Sequence, residues 1–414
     1  MDTVMGVESE YAVAIDGGCA LNHGDVAHRL YNLAAQTAQH LTSVDGDRLY
    51  LRNGGCIYVD YGDHLEYASP ECSNPTDLVR YVRAGDAIMS DLTARLSTQL
   101  GARIAASRGN IGYNSSPENC ETWASHESYL SALSPINLVE GLVPFLCSRI
   151  IFCGGGGFDP FNKGVSFSLS PRTTFISEVS SGESTCSRGI VHLKDEPLSN
   201  HGHRLHLICG DALGSELAMW LRAGTTALIV RLLELGFAAP AEIVPRDPIN
   251  ALRVIASDPT LTAQIPTMSG RKVTALDIQH VYLRAIEISN HEDFPVWAPK
   301  IVQGWRRILE LLASGPQEAA TALDWPIKLQ LYNAFCARRG ISWETLSDRN
   351  SSRLSNIQAI RLQLFELETQ FLQIGGLFDQ MESAGVLEHG ALDNRDAVAQ
   401  AVQSPPRGTR AQVR

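Results

Sequence analysis

An α+β fold is predicted by three features of the 414-residue sequence. Strand-like alternation and amphipathic helices are mixed through residues 1–214, and nearly continuous helix follows from about residue 215. Regular strand–helix alternation of the doubly wound kind is missing. Strands first and helices later place helices on one side of a largely antiparallel sheet. No linker rich in Pro, Gly or Ser interrupts the chain, so residues 1–414 read as one unit: a sheet-rich cradle (1–214), a helix-rich part (215–400) and a basic tail (401–414).

The first strand is "MGVESEYAV", in which Glu8 and Glu10 project from the same side. "HGDVAHRLYNLAAQTAQHL" has helical apolar spacing, and "GCIYVDYGDHLEYASPE" returns to strand alternation, pairing Tyr58 with Asp60 and His64 with Glu66. "PTDLVRYVRAGDAIMSDLTARLSTQL" is an amphipathic helix that starts at Pro-Thr-Asp. The apolar run "NLVEGLVPFLCSRIIFCGGGG" carries Glu140, Pro144 and Arg149, and is too short and too polar to span a bilayer. Its glycines lack the Lys and hydroxyl residue of a P-loop and read as a mobile connection. "SFSLSPRTTFISEV" and "GHRLHLICGD" read as strands. Helices follow in "SELAMWLRAGTTALIVRLLELG", "ALDIQHVYLRAIEIS", "WAPKIVQGWRRILELLASG" and "QAIRLQLFELETQFL".

A formal charge of −11 argues against a broad nucleic-acid surface. Nine scattered cysteines include no C-x-x-C pair, and several lie in apolar runs, as expected of reduced core residues in the cytoplasm. No basic segment followed by an apolar one marks a signal peptide, and no membrane association is expected.

Two acidic strands remain to be explained. Charged residues on a sheet edge guard against aggregation, whereas carboxylates sharing a face also suit a hard cation such as Mg²⁺. On the residues alone both readings stand. His201, His203 and His206 form H-x-H-x-x-H, but only His206 lies in a clear strand, which weakens a zinc reading. Arg204 and His206 share a strand face. His126 and Glu127 follow a polar loop. Arg172, Arg188 and the "KDEP" turn at Lys194 to Pro197 each read singly as surface charges or buried ion pairs.

The order of "MGVESEYAV", "LRNGGCIYVDYGDHLEYASPEC", "SHESYL", "LVPFLCSRIIFCG", "SRGIVHLKDEP", "RLHLICGD", "TALDIQHVY", "DWPIKLQLY" and "SPPRGTRAQVR" resembles the Pup ligase and depupylase family. The similarity runs from Met5 to Arg414. It implies a glutamine-synthetase-like fold, in which a curved antiparallel sheet cradles ATP and Mg²⁺ with helices behind it. It also implies an ATP-dependent carboxylate–amine ligase that phosphorylates a glutamate-type carboxylate and joins it to an amine. The implied donor is a Pup-like protein, a peptide or a small molecule ending in glutamate, and the acceptor is a protein lysine or a small amine. Position by position, Glu8, Tyr58 and Glu66 match Mg²⁺ ligands, Asp60 matches the catalytic base, and Ser69 replaces a nucleotide-contacting threonine. Glu10 and His206 fall in motifs on the metal side of the same cradle, and Glu127 and Arg204 in motifs on its nucleotide side.

Three departures from the family stand out. Cys56 occupies the place of an ATP-contacting arginine, "GYNSSPEN" replaces a Lys-Asn-Asn-Thr-Asp element, and the family's small C-terminal domain is expected to be absent after "TRAQVR". Depupylases carry a long insertion after the first acidic strand. Only "AIDGGCALNHGD" stands there, and the spacing of "VDYGDHLEY" is also that of ligases. Both features point to ligation, with an ATP-dependent depupylase or deamidase-like hydrolase as the alternative. A scaffold without activity is disfavoured because Asp60, Glu8, Tyr58 and Glu66 are all present.

Overall fold

A computed structural model describes residues 3–16, 21–37, 40–42, 47–60, 62–113, 120–161, 165–184, 186–193, 202–347, 355–388 and 395–412. The "KDEP" turn, His201 and most of "GYNSSPEN" lie outside the described residues.

Seven strands come first: β1 (Met5–Ile15), β2 (His40–Thr42), β3 (Arg48–Leu51), β4 (Cys56–Val59), β5 (Leu65–Ala68), β6 (Ile104–Ser107) and β7 (Ser125–Ser131). A short ribbon of β8 (Gly157–Phe158) and β9 (Phe167–Ser168) precedes β10 (Ile176–Ser181), β11 (Arg188–His192) and β12 (His203–Leu207). Among the described residues the main sheet has ten strands, in the order β10-β11-β12-β7-β1-β5-β4-β3-β2, with β6 also pairing with β1. Every pairing is antiparallel except β10 with β11, a parallel pair at one edge. The sheet is largely antiparallel, as expected.

Period-two alternation sorts the strands into two faces. Met5, Val7, Tyr11 and Val13 of β1 are buried, as are Ile57, Leu65, Tyr67, Tyr129, Leu205 and Leu207 on its neighbours. Four helices cover this apolar face: α1 (His23–Thr37), α2 (Pro75–Leu100), α3 (Pro135–Ser148) and, from the second half, the helix Glu216–Glu234. The cap of α2 is Asn74, whose side chain accepts from the Asp77 amide, with Pro75 in the first turn and Gly101 closing the helix at φ +62°. Midway along α2, Gly85 lies flat against the sheet: a Cβ there would come within 2.3 Å of the Tyr67 ring.

The helical run begins at the Ser215 cap. Trp305, on the helix Ala298–Ser314, is fully buried, and its indole donates to Gln279 Oε1 at 3.1 Å. The Gln279 amide in turn donates to the Ser148 hydroxyl at 2.7 Å, which binds the second half of the chain to the first.

Three expectations change. Gly154 to Gly157 are buried, not a mobile connection: a Cβ on Gly154 would meet the Leu169 carbonyl at 2.3 Å, and one on Gly156 the Trp325 backbone at 2.9 Å. The glycines allow close packing of chain segments. "SFSLSPRTTFISEV" is not one strand, because Pro171 opens a 3₁₀ turn, Pro171–Phe175, between β9 and β10. Finally, the last residues do not form a separate tail from 401. A helix runs Arg395–Gln403, and beyond it the chain packs on α2 and the segment before it: the Tyr81 hydroxyl donates to Ser404 O at 2.6 Å, and Arg410 pairs with Glu71.

Candidate active site

The face of the sheet away from the helices carries the polar residues. Register places Glu8 opposite His126, Glu10 opposite Glu66, Tyr58 opposite Glu66, and His206 opposite Ser128. Five strands thus converge on one cradle. Arg204 Nη2 donates to Glu8 Oε1 at 2.9 Å, and its Nε to Ser128 Oγ at 3.1 Å. His126 lies between the two acids, 3.5 Å from Glu8 and 3.3 Å from Glu10. Glu10 also accepts from the Ala124 amide at 2.8 Å and lies 3.5 Å from His64 Nδ1.

Electrostatics divides the acids. Burial would raise the Glu8 carboxyl, but the His126 hydrogen bond and the charges of His206, His126 and Arg204 outweigh it and lower its pKa to about 2. Glu10 is likewise buried, yet His126, His64 and Arg172 hold it down to about 2. Glu66 goes the other way. Burial and the neighbouring Glu10 and Glu8 push it well above the carboxylate range, against the hydrogen bond from Tyr58. Burial lowers His206 to about 3, leaving a neutral imidazole.

Atoms of Glu8, His126 and His206 lie within 4.8 Å of one another, as do those of Glu10, Asp60 and His64. Glu8, Glu10, Asp60 and Glu66 together offer the carboxylate oxygens that a hard divalent cation takes, and such a cation would remove the penalty on Glu66. The residues fit Mg²⁺.

Asp60 stands at the rim, 30 % exposed, in the turn after β4. Its Oδ1 accepts from the Gly62 and His64 amides at 2.8 and 2.9 Å, and Oδ2, 3.9 Å from His64 Nδ1, faces the cradle. Burial alone would lower the His64 pKa, but Glu10 and Asp60 raise it.

Beside Glu8 opens a cavity of about 1050 Å³, lined by Arg48, Cys56, Tyr58, Ser69, Arg204 and the 407–411 segment, among others. Its size suits a nucleotide. The Ser69 hydroxyl is engaged at the wall, accepting from the Val7 amide at 3.0 Å and donating to Pro70 O at 3.1 Å. The Arg48 guanidinium lies 5.1 Å above the Tyr58 ring. One strand over from Cys56, it supplies the cavity with a cation that the sequence reading had missed.

Of the nine residues singled out in the sequence, eight (Glu8, Glu10, Tyr58, Asp60, Glu66, Ser69, Arg204 and His206) meet at this cradle or its cavity. Glu127 does not. It pairs in register with Val7 on the helix side, is fully buried, and makes a two-pronged pair with Arg149 at 2.6 and 2.9 Å. His203 and His206 alternate to opposite faces of β12, so no zinc triad forms from that strand. The reading also passed over His126 as a ligand, although "SHESYLS" signals it: Tyr129 is apolar, so Glu127 shares its inward face and His126 the outward one.

Removing one partner of a buried ion pair costs about 3–5 kcal/mol. Glu127→Ala is therefore expected to lower the unfolding free energy from urea titration by about 3–5 kcal/mol, moving the midpoint down, while leaving nucleotide affinity of the folded protein unchanged. A retained midpoint with a tenfold weaker nucleotide would return Glu127 to the cradle.

The chain matches the Pup-ligase protein family model over residues 3–414. It is 33% identical over 381 residues to the Pup deamidase/depupylase of Mycolicibacterium smegmatis, covering 90% of this chain and 72% of that one. It is 32% identical over 426 residues to the Pup–protein ligase of Acidimicrobium ferrooxidans, covering 99% and 87%. Among solved structures, it superposes on the ligase PafA in complex with the prokaryotic ubiquitin-like protein Pup with a TM-score of 0.83, at 26% identity, over 100% of this chain and 82% of that one. A PafA structure in complex with ADP matches with a TM-score of 0.73 at 25% identity, covering 96% and 84%. The glutamine-synthetase-like α+β fold is thereby shown.

Proposed function

The chain belongs to the Pup-ligase family, and we propose from that premise that it joins the glutamate carboxylate of a Pup-like donor to a lysine amine of a protein, consuming ATP. One observation carries the chemistry: Glu8, Glu10, Glu66 and Tyr58 share a face of the sheet, Glu8 and Tyr58 also line the nucleotide-sized cavity, and Asp60 stands in the turn after β4.

The residues divide the work along β1. Arg48 and Arg204 offer guanidinium groups to the polyphosphate of a nucleotide in the cavity. Glu8, Tyr58 and Glu66, with Glu10, His126 and His206 beside them, would hold Mg²⁺, which when bound neutralises phosphate oxygens. A donor carboxylate oxygen forms a bond to the γ-phosphorus as the bond to the bridging oxygen breaks and ADP leaves. The acyl phosphate then carries a good leaving group.

A lysine ammonium must lose a proton before it attacks. Asp60 Oδ2 accepts it, while Oδ1 remains fixed by two backbone amides, so the base needs little reorganisation. The C–N bond forms, the acyl C–O bond breaks and phosphate departs.

The connection between β1 and α1 is short, Asp16 to Asn22, and the ligase relative is matched over more of its length than the depupylase. Both facts support ligation over hydrolysis. Incubation with Mg-ATP, a glutamate-ended Pup-like donor and a lysine-bearing acceptor, read by intact mass, is expected to give an adduct one water lighter than the sum. ATP-dependent cleavage of a preformed conjugate, with no adduct, would assign the chain to the hydrolases. No helix among the described residues is long and apolar enough to cross a membrane.

A further inference from the structure

The turn that carries Asp60 is thinly held on its outer side. Gly62 and Asp63 are exposed, and the Asp63 carboxylate meets His28 Nε2 at 3.4 Å in a pair more than half open to solvent, which contributes little. The firmer hold is at the end of the turn. There the Asp60 amide donates to His64 O at 3.0 Å, and the His64 amide donates back to Asp60 Oδ1 at 2.9 Å. Asp60 therefore stands where His64 stands. The His64 side chain is 14 % exposed, with Nδ1 3.5 Å from Glu10 Oε2. Gly62 leaves room for the ring, because a Cβ there would come within 3.3 Å of Cε1 and 3.4 Å of Nε2. Trp123 packs against the same ring, with ring centres 5.5 Å apart and planes tilted by 39°.

Trp123 belongs to the rigid body of the protein. It is 8 % exposed, its amide donates to Asn110 O at 3.1 Å, and its carbonyl accepts from Arg172 Nη1. Asn110 is itself clamped to the segment after β12, accepting from the Ala212 amide at 2.7 Å and donating to Ala212 O at 3.2 Å. Gly109 lets the indole lie close to the chain, since a Cβ there would meet Trp123 Cε3 at 3.4 Å. One ring contact thus ties the exposed turn to a buried, twice-anchored segment. The reaction described above makes no use of this indole.

Resting on the ligase reading, we propose that Trp123 is a positioning residue for the catalytic base: through the His64 ring it fixes where Asp60 Oδ2 stands when the lysine ammonium arrives. An aromatic face suits the task, because it restrains the imidazole while leaving Nδ1 turned to Glu10 and Asp60. Without the indole the imidazole gains freedom, and the turn that ends at His64 drifts with it. A misplacement of about 1 Å in a reacting group costs about 100-fold in rate. That loss falls on the amine step alone. Phosphoryl transfer to the donor needs no proton acceptor at Asp60 and proceeds.

The test gives wild type, Trp123→Leu and Trp123→Phe a glutamate-ended donor and Mg-ATP, with either a lysine acceptor or hydroxylamine. Hydroxylamine is uncharged at neutral pH and attacks without a base, so it reads acyl-phosphate formation by itself. In Trp123→Leu, lysine conjugation is expected to fall about 10- to 100-fold while hydroxamate formation stays within about threefold of wild type. Trp123→Phe keeps a ring against His64 and recovers most of the loss. Trp123→Met, of similar bulk but without an aromatic face, carries the same test if Trp123→Leu does not fold. Lysine conjugation within about threefold of wild type, or an equal fall in both products, overturns the proposal. If wild type forms neither product, the ligase reading fails, and hydrogen exchange reads the turn separately. Faster exchange at the Gly62 and His64 amides in Trp123→Leu than in Trp123→Phe supports the positioning role, and equal exchange overturns it.

Discussion

Asp60→Asn is expected to lower the rate of isopeptide bond formation by about 10²- to 10⁴-fold while nucleotide and donor binding stay near wild type. The amide keeps the oxygen that accepts from the Gly62 and His64 amides, so the turn holds its shape. What it loses is a carboxylate able to take the ammonium proton. Because phosphoryl transfer to the donor does not need that proton acceptor, ADP formation without acceptor should persist in the variant. Single-turnover conjugation at several pH values separates the steps. A conjugation rate within threefold of wild type would move the base to another group, with His64 the nearest.

The second large effect is expected at Glu66. In the metal-free protein its carboxyl is held well above its ordinary value of 4.5 by burial and by Glu10 and Glu8. The folded state therefore binds a proton that the unfolded chain has already released. Stability contributed by the protonated form is full below about pH 4.5 and is lost as pH rises through the elevated folded value. Once pH exceeds that elevated value, the metal-free site is strained by like charges. Glu66→Gln removes one of them and should raise the melting temperature of the metal-free protein by roughly 1–3 °C. The same change should weaken Mg-nucleotide binding by at least about 10- to 100-fold, since even partners one step further from a metal cost that much. A variant that is both less stable and an unimpaired nucleotide binder would show that Glu66 serves packing. Glu8 does not share this behaviour, because Arg204 and His126 already compensate it.

Much of the cradle was legible because strand alternation is a strong constraint. Glu8 with Glu10, and Arg204 with His206, could be assigned to common faces from sequence spacing alone, and register then brought them together. Glu127 was assigned to the cradle through its motif, and the phase of alternation in β7 turns it to the helix side. In β7, Ser and His alternate with Glu and Tyr, and only the apolar Tyr129 tells which set turns inward. What the sequence hid depended on distant partners. Buried Gly154 to Gly157 make sense only against Leu169 and Trp325, and Arg410 meets Glu71 across 339 positions. Pro171 was a visible sign that "SFSLSPRTTFISEV" breaks. Its consequence, a turn that buries Arg172 next to Arg188, emerges only in three dimensions.

The central claim is that the donor carboxylate is activated as an acyl phosphate in this cradle. Hydroxylamine in place of the lysine acceptor tests it most directly, because it intercepts such a species as a stable hydroxamate. With Mg-ATP and a glutamate-ended donor, one hydroxamate on the donor's glutamate per ADP released is the expected result, abolished when the donor is withheld. ADP release without hydroxamate, or hydroxamate without ADP, would contradict the account.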